Sequence, residues 1–123
     1  MSTINGIAAA LDRAFALFNV RASATEEEDR VVVPARAAAV LVRDVAAVDG
    51  SGSAHRVRSL LYSRGDGDVR LTVPDAVQLV RALEDVHRQK RRNDQIDRGQ
   101  IPGPMSSSEV LRLARRHPGL FRR

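Results

Sequence analysis

Apolar residues recur every three or four positions in three separate stretches of this chain, and that spacing limits its fold more than any other feature. Ile4, Ile7, Leu11, Phe15 and Phe18 form the first stripe, with Asp12 and Arg13 between them, so residues 3–18 are expected to be an amphipathic helix. Ala38, Leu41, Val45 and Val48 form the second, in a stretch, 35–48, where only Arg36, Arg43 and Asp44 are charged. Val40 and Val42 lie off that stripe, which makes this the most buried helix expected. Ala76, Leu79, Val80, Leu83 and Val86 form the third, on a helix from 75 to about 92 whose outer face pairs Arg81 with Asp85 and Glu84 with Arg88.

The segments between the stripes set where elements begin and end. Val31-Val32-Val33-Pro34 and Leu71-Thr72-Val73-Pro74 lie 40 residues apart, and each reads as an extended segment leading into a helix. They fit either a general way of starting a helix or an internal duplication. Residues 19–29 break the helical period and end in the acidic run Glu26-Glu27-Glu28-Asp29, a solvated loop or the start of a new element. Residues 49–53 are a Gly/Ser turn. Residues 55–64 fit a helix with Val57, Leu60 and Leu61 on one side. They also fit the first strand of a hairpin that turns at Gly65-Asp66-Gly67-Asp68 and returns along Val69–Val73. The two glycines favour the hairpin, because a tight turn needs positive φ.

The third helix is expected to stop near Asn93, followed by a rigid connection from Gly99 to Pro104. Ser106 and Glu109 have capping-box spacing, and Val110, Leu113 and Ala114 then form a short stripe opposite Arg112, Arg115 and Arg116. Pro118-Gly119 ends that helix and leaves Leu120-Phe121 as an apolar hook. The expected fold is mainly α with a small β component, one compact domain of a short β-hairpin and about four helices. Its core spans 1–86, and 87–123 is a basic helix end, connection and short helix packed on or extending from that core.

A chain of 123 residues supports one hydrophobic core. With Phe15, Phe18, Tyr62 and Phe121 as the only Phe or Tyr and no Trp, aliphatic side chains must fill it. The absence of cysteine excludes disulfides and thiolate chemistry. No apolar run approaches the roughly 20 residues that span a bilayer, and the N-terminus lacks signal-peptide character, so the expected place is the cytoplasm, away from membranes.

Catalytic motifs do not emerge. His55, His87 and His117 stand far apart, without a second ligand at metal spacing, and read as surface or capping residues. Asp66 and Asp68 flank Gly67 but lack the later acidic residue of a calcium loop. Ser106-Ser107-Ser108 has no adjacent base or nucleophile elbow, and the glycines form no phosphate loop. A non-enzymatic protein with no cofactor and no metal is expected.

Charge is the strongest functional signal. Residues 1–85 carry ten Arg against twelve Asp and Glu, a net of −2, whereas residues 86–123 carry ten basic against three acidic residues, a net of +7. Arg88, Lys90, Arg91, Arg92, Arg98, Arg112, Arg115 and Arg116, with Arg122 and Arg123 beyond, match the phosphate backbone of a polyanion, where each neutralised phosphate releases a counterion. Phe121 is the only Phe, Tyr or Trp in this third, so duplex DNA or an acidic protein surface fits better than single-stranded RNA, which is bound by stacking. The competing expectation is a structural or adaptor subunit, for example an accessory protein of a phage- or plasmid-encoded assembly. Val110, Leu113, Leu120 and Phe121 would then anchor a protein–protein interaction within an arginine rim, with a homo-oligomer as one form of it.

Three segments, Leu71-Thr72-Val73-Pro74-Asp75-Ala76, Asp97-Arg98-Gly99-Gln100-Ile101-Pro102-Gly103-Pro104 and Ser107-Ser108-Glu109-Val110-Leu111, resemble, in order, pieces of excisionase or MerR-type winged-helix proteins. The resemblance covers about a third of the chain. It implies that the first segment opens a helix, the second leads into a wing, the third opens the helix after it, and the partner is DNA.

Overall fold

Each of the three apolar stripes lies mostly on a helix, with Phe18 and Val48 just past the ends of theirs. The computed structural model describes residues 3–62 and 67–121, and the side chains from residue 6 onward within them. Helix α1 (Thr3–Ala16) buries Leu11, Ala14 and Phe15, and the chain turns away at Asn19, whose φ of 59° is left-handed. Strands β1 (Thr25–Glu27) and β2 (Arg30–Val33) follow, joined by Glu28-Asp29 with Glu28 at φ 57°. Then come α2 (Ala35–Ala46), α3 (Ser53–Leu60), β3 (Val69–Leu71), α4 (Val73–Asp97), α5 (Ser107–Arg116) and a 3₁₀ turn, Pro118–Phe121. The protein is a mainly helical single domain with a small antiparallel sheet of order β1-β2-β3.

The central strand explains the run of three valines. Val31, Val32 and Val33 are all buried, so β2 is covered on both faces and needs no polar alternation. Its partner is the segment that resembles it: Val31 pairs with Leu71, Val32 with Arg70 and Val33 with Val69. The two strand-to-helix units thus meet strand to strand, antiparallel, with α2 leaving one and α4 the other. Strand β1 falls in 19–29, which the sequence leaves as a solvated loop or the start of a new element, because its three residues are all exposed and carry no apolar alternation.

The expected hairpin over 55–73 is not formed. Residues 53–60 are helix α3, and the returning strand, β3, pairs with β2 instead. Val57 and Leu61, four apart, are both buried where α3 packs on α4 and α2, and that packing decides for the helix. Of the expected turn, Gly65 and Asp66 lie outside the described residues, while Asp68 has a different role. Pro34 stands at the N-cap of α2 and offers no side-chain acceptor, and Asp68 supplies one from 33 residues away, accepting from the Ala35 amide at 2.9 Å.

Helix α4 is the hub: α1, α3, α5, β2 and β3 all pack on it. Thr72 caps it by accepting from the Asp75 amide, and Pro74 occupies its first turn. The expected stop near Asn93 is displaced to Asp97. Asn93 is buried, but its amide is satisfied by Gln89 at 3.0 Å and the Asp49 carbonyl at 2.9 Å, so the helix continues through it to bury Ile96. Gly99, at φ 79°, ends the helix in a Schellman arrangement in which the Gln100 amide donates to the Gln95 carbonyl at 2.9 Å. The main core draws on α1, β2, α2, α3, β3 and α4 as far as Val86, and Ile96 with Leu113 are buried beyond it, where α5 packs on α4. Residue 86, the expected core edge, therefore lies within one unbroken helix. Among the described residues no helix is long and apolar enough to cross a membrane.

Candidate nucleic-acid interface

Helix α5 packs on the second half of α4 through the buried Leu113 and Ile96 and through ion pairs. The capping box expected from Ser106 and Glu109 is formed in both directions. Glu109 also accepts from Arg92 Nε at 2.7 Å and Arg92 Nη2 at 3.1 Å, and from Gln89 at 3.1 Å. Arg92 reaches on to the Pro104 carbonyl at 2.7 Å, fixing the connection before α5. The Arg92 guanidinium above all, helped by the Ser106 amide and Gln89, outweighs desolvation and holds the Glu109 carboxyl at a pKa of about 2.

A second clamp closes the other end of α5. Arg112 makes a two-pronged contact with Asp97, at 2.8 and 2.7 Å, and its remaining nitrogen reaches Asp49 at 2.7 Å. The Arg112 bonds, followed by the charges of Arg112, Arg116 and His117, hold the Asp97 carboxyl below its ordinary range despite desolvation. His117 binds the Asp97 carbonyl through Nε2 at 2.8 Å, and its ring lies 3.5 Å from where a side chain on Gly99 would begin.

These clamps divide the eight candidate cations in two. Arg92 and Arg112 are partly buried and internal. Arg88 is exposed and bonded to Asp85 at 2.8 Å, and Arg116 is exposed and lies 3.5 Å from Asp97. Lys90, Arg91, Arg98 and Arg115 are exposed and, among the described residues, within 4 Å of no carboxylate. Arg88 and Arg91 border one shallow hollow with His87 and Gln95, and Lys90 borders another with Asp94 and Arg116. Arg122 and Arg123 lie outside the described residues.

The apolar candidates divide as well. Leu113 is 2% exposed and belongs to the α4–α5 contact, so it cannot serve as a free anchor. Val110, Leu120 and Phe121 are exposed, and Leu111 and Ile101, which are not among the expected anchors, are more exposed than Val110. Six large apolar side chains are exposed among the described residues, and five of them fall within 101–121.

The histidines are dispersed. His87 meets Phe18 edge-on at 6.1 Å, and burial, reinforced by Arg91 and Lys90, lowers its pKa. His117 closes α5, and His55 is exposed on α3. Of the segments that resemble winged-helix proteins, the first opens α4, the second ends it and forms the connection, and the third opens α5, while α4 runs without a break through 84–95. No family model matches the chain, and no curated protein or solved structure does either.

Proposed function

We propose that this is a non-enzymatic cytoplasmic protein that binds duplex DNA through the phosphate backbone, using Arg88, Lys90, Arg91, Arg98, Arg115 and Arg116. The observation that supports this reading is the sorting of charge in the C-terminal third. Glu109 is taken up by Arg92 and Asp97 by Arg112, so the surplus of positive charge stands outside, on and beside two helices locked together. With Phe121 as the only Phe, Tyr or Trp of this region, little is available for stacking unpaired bases, which favours a duplex. The likeness of three segments to winged-helix proteins points to the same partner.

The test is fluorescence anisotropy on a duplex across a salt series. The parent should bind at about 50 mM salt and weaken steeply as salt rises, and Arg91→Ala, Arg98→Ala and Arg115→Ala should each lower the log–log salt slope by roughly 0.9. Arg92 and Arg112 are unsuitable probes, because their loss would undo the clamps. No binding by the parent at low salt overturns the reading.

A second reading, an adaptor that docks on an acidic protein surface or on a second copy, draws support from the exposed apolar set. Val110, Leu111, Leu120 and Phe121, with arginines beside them, have the make-up of an interface with an apolar centre and a charged rim. Replacing Leu120 and Phe121 together by Ser should abolish such an assembly, measured by light scattering, and leave DNA affinity within about twofold.

A further inference from the structure

Within the acidic N-terminal part of the chain, one helix falls in a stretch of opposite character. From Gly50 to Gly65 there are three arginines, Arg56, Arg58 and Arg64, and no Asp or Glu, although acidic residues outnumber basic ones over residues 1–85 as a whole. Most of that stretch is helix α3 with its flanks. Its inner side, Ala54, Val57, Leu60 and Leu61, faces the core, and of these Val57 is completely buried. Its outer side presents His55, Arg56, Arg58, Ser59 and Tyr62, all exposed, with Tyr62 at 71%. Every one of these side chains can donate a hydrogen bond, and neither arginine lies within 4 Å of a carboxylate among the described residues.

This face is tied to the phosphate-binding surface proposed above. Ser53 at the start of α3 donates to Asp85 at 3.4 Å, and Asp85 holds Arg88 at 2.8 Å, so α3 begins one carboxylate away from Arg88. On its other flank the loop before α3 meets α5, where a side chain built on Gly50 would lie 3.4 Å from the Ser108 hydroxyl. Helix α3 thus presents a short, donor-rich outer face on a base formed with α2 and α4, bordered by cations of α4 and α5. The major groove, about 12 Å wide, admits one helix and displays acceptors on guanine that an arginine engages with two bonds.

We infer that α3 is the sequence-reading element: its outer face enters the major groove, with Arg56 and Arg58 contacting base edges while α4 and α5 hold the flanking phosphates. The inference rests on the duplex-DNA reading, and the experiment separates the two. The full-length protein is used to select sequences from a pool of duplexes with a randomised centre. Affinities for the enriched duplex and for a scrambled one of the same composition are then measured for the parent and for Arg56→Ala/Arg58→Ala, with melting curves establishing that both are folded. The parent should prefer the enriched duplex. The double variant should lose at least about fivefold of that preference while its affinity for the scrambled duplex changes far less. A preference unchanged in the variant, or a parent that binds all duplexes alike, overturns the role of α3 and leaves phosphate binding standing. A parent that binds no duplex at low salt overturns both.

Discussion

Glu109 lies almost wholly inside, 5% exposed, and takes hydrogen bonds from Arg92, Gln89 and the Ser106 amide. The Ser-x-x-Glu spacing makes the cap legible from sequence, but nothing in the sequence singles out Arg92, 17 residues earlier, as the partner that fixes the carboxyl's charge. The depressed pKa has a signed consequence. A carboxyl at 4.5 when unfolded and about 2 when folded contributes stability that is complete above about pH 5 and is lost as pH falls through about 2. The parent's melting temperature should therefore fall between those limits, and that of Glu109→Gln should fall less, with the two curves converging in acid. Parallel curves would show that Glu109 is not clamped as described. Gly99 offers a second check. It sits at φ 79° beside the His117 ring, so Gly99→Ala should destabilise the protein by about 1 kcal/mol, read from denaturant unfolding.

The helices with long stripes could be read directly because period and length agree, and Leu41 and Leu83 are fully buried where the stripes of α2 and α4 place them. Replacing either by Ala should cost about 2–5 kcal/mol, and a loss below 1 kcal/mol would contradict that packing. The short elements were ambiguous for physical reasons. Residues 55–61 are apolar at spacings a helix or a strand can use, and the decision comes from α4, which α3 covers, and from β2, which takes β3 as its partner. The cap on α2 is equally non-local. Asp68→Ala should cost about 0.5–2 kcal/mol by leaving the Ala35 amide unpaired, although in sequence Asp68 reads only as a turn residue.

For the molecule as a whole, the sequence reveals the net charge of its C-terminal third but not which cations face outward. Arg92 and Arg91 are neighbours of one type, yet the first is drawn inward by Glu109 and the second stays exposed, with no carboxylate within 4 Å among the described residues. That sorting depends on α5 folding back on α4, which no spacing along the chain specifies. It also sets the form of the decisive measurement, which is the affinity of the intact protein for duplex DNA as a function of salt. The exposed cations predict binding at about 50 mM salt whose log–log slope falls by roughly 0.9 for each of Arg91, Arg98 and Arg115 replaced by Ala. Absence of binding at that salt, or a slope unchanged when all three are removed, would contradict the assignment of this surface to DNA.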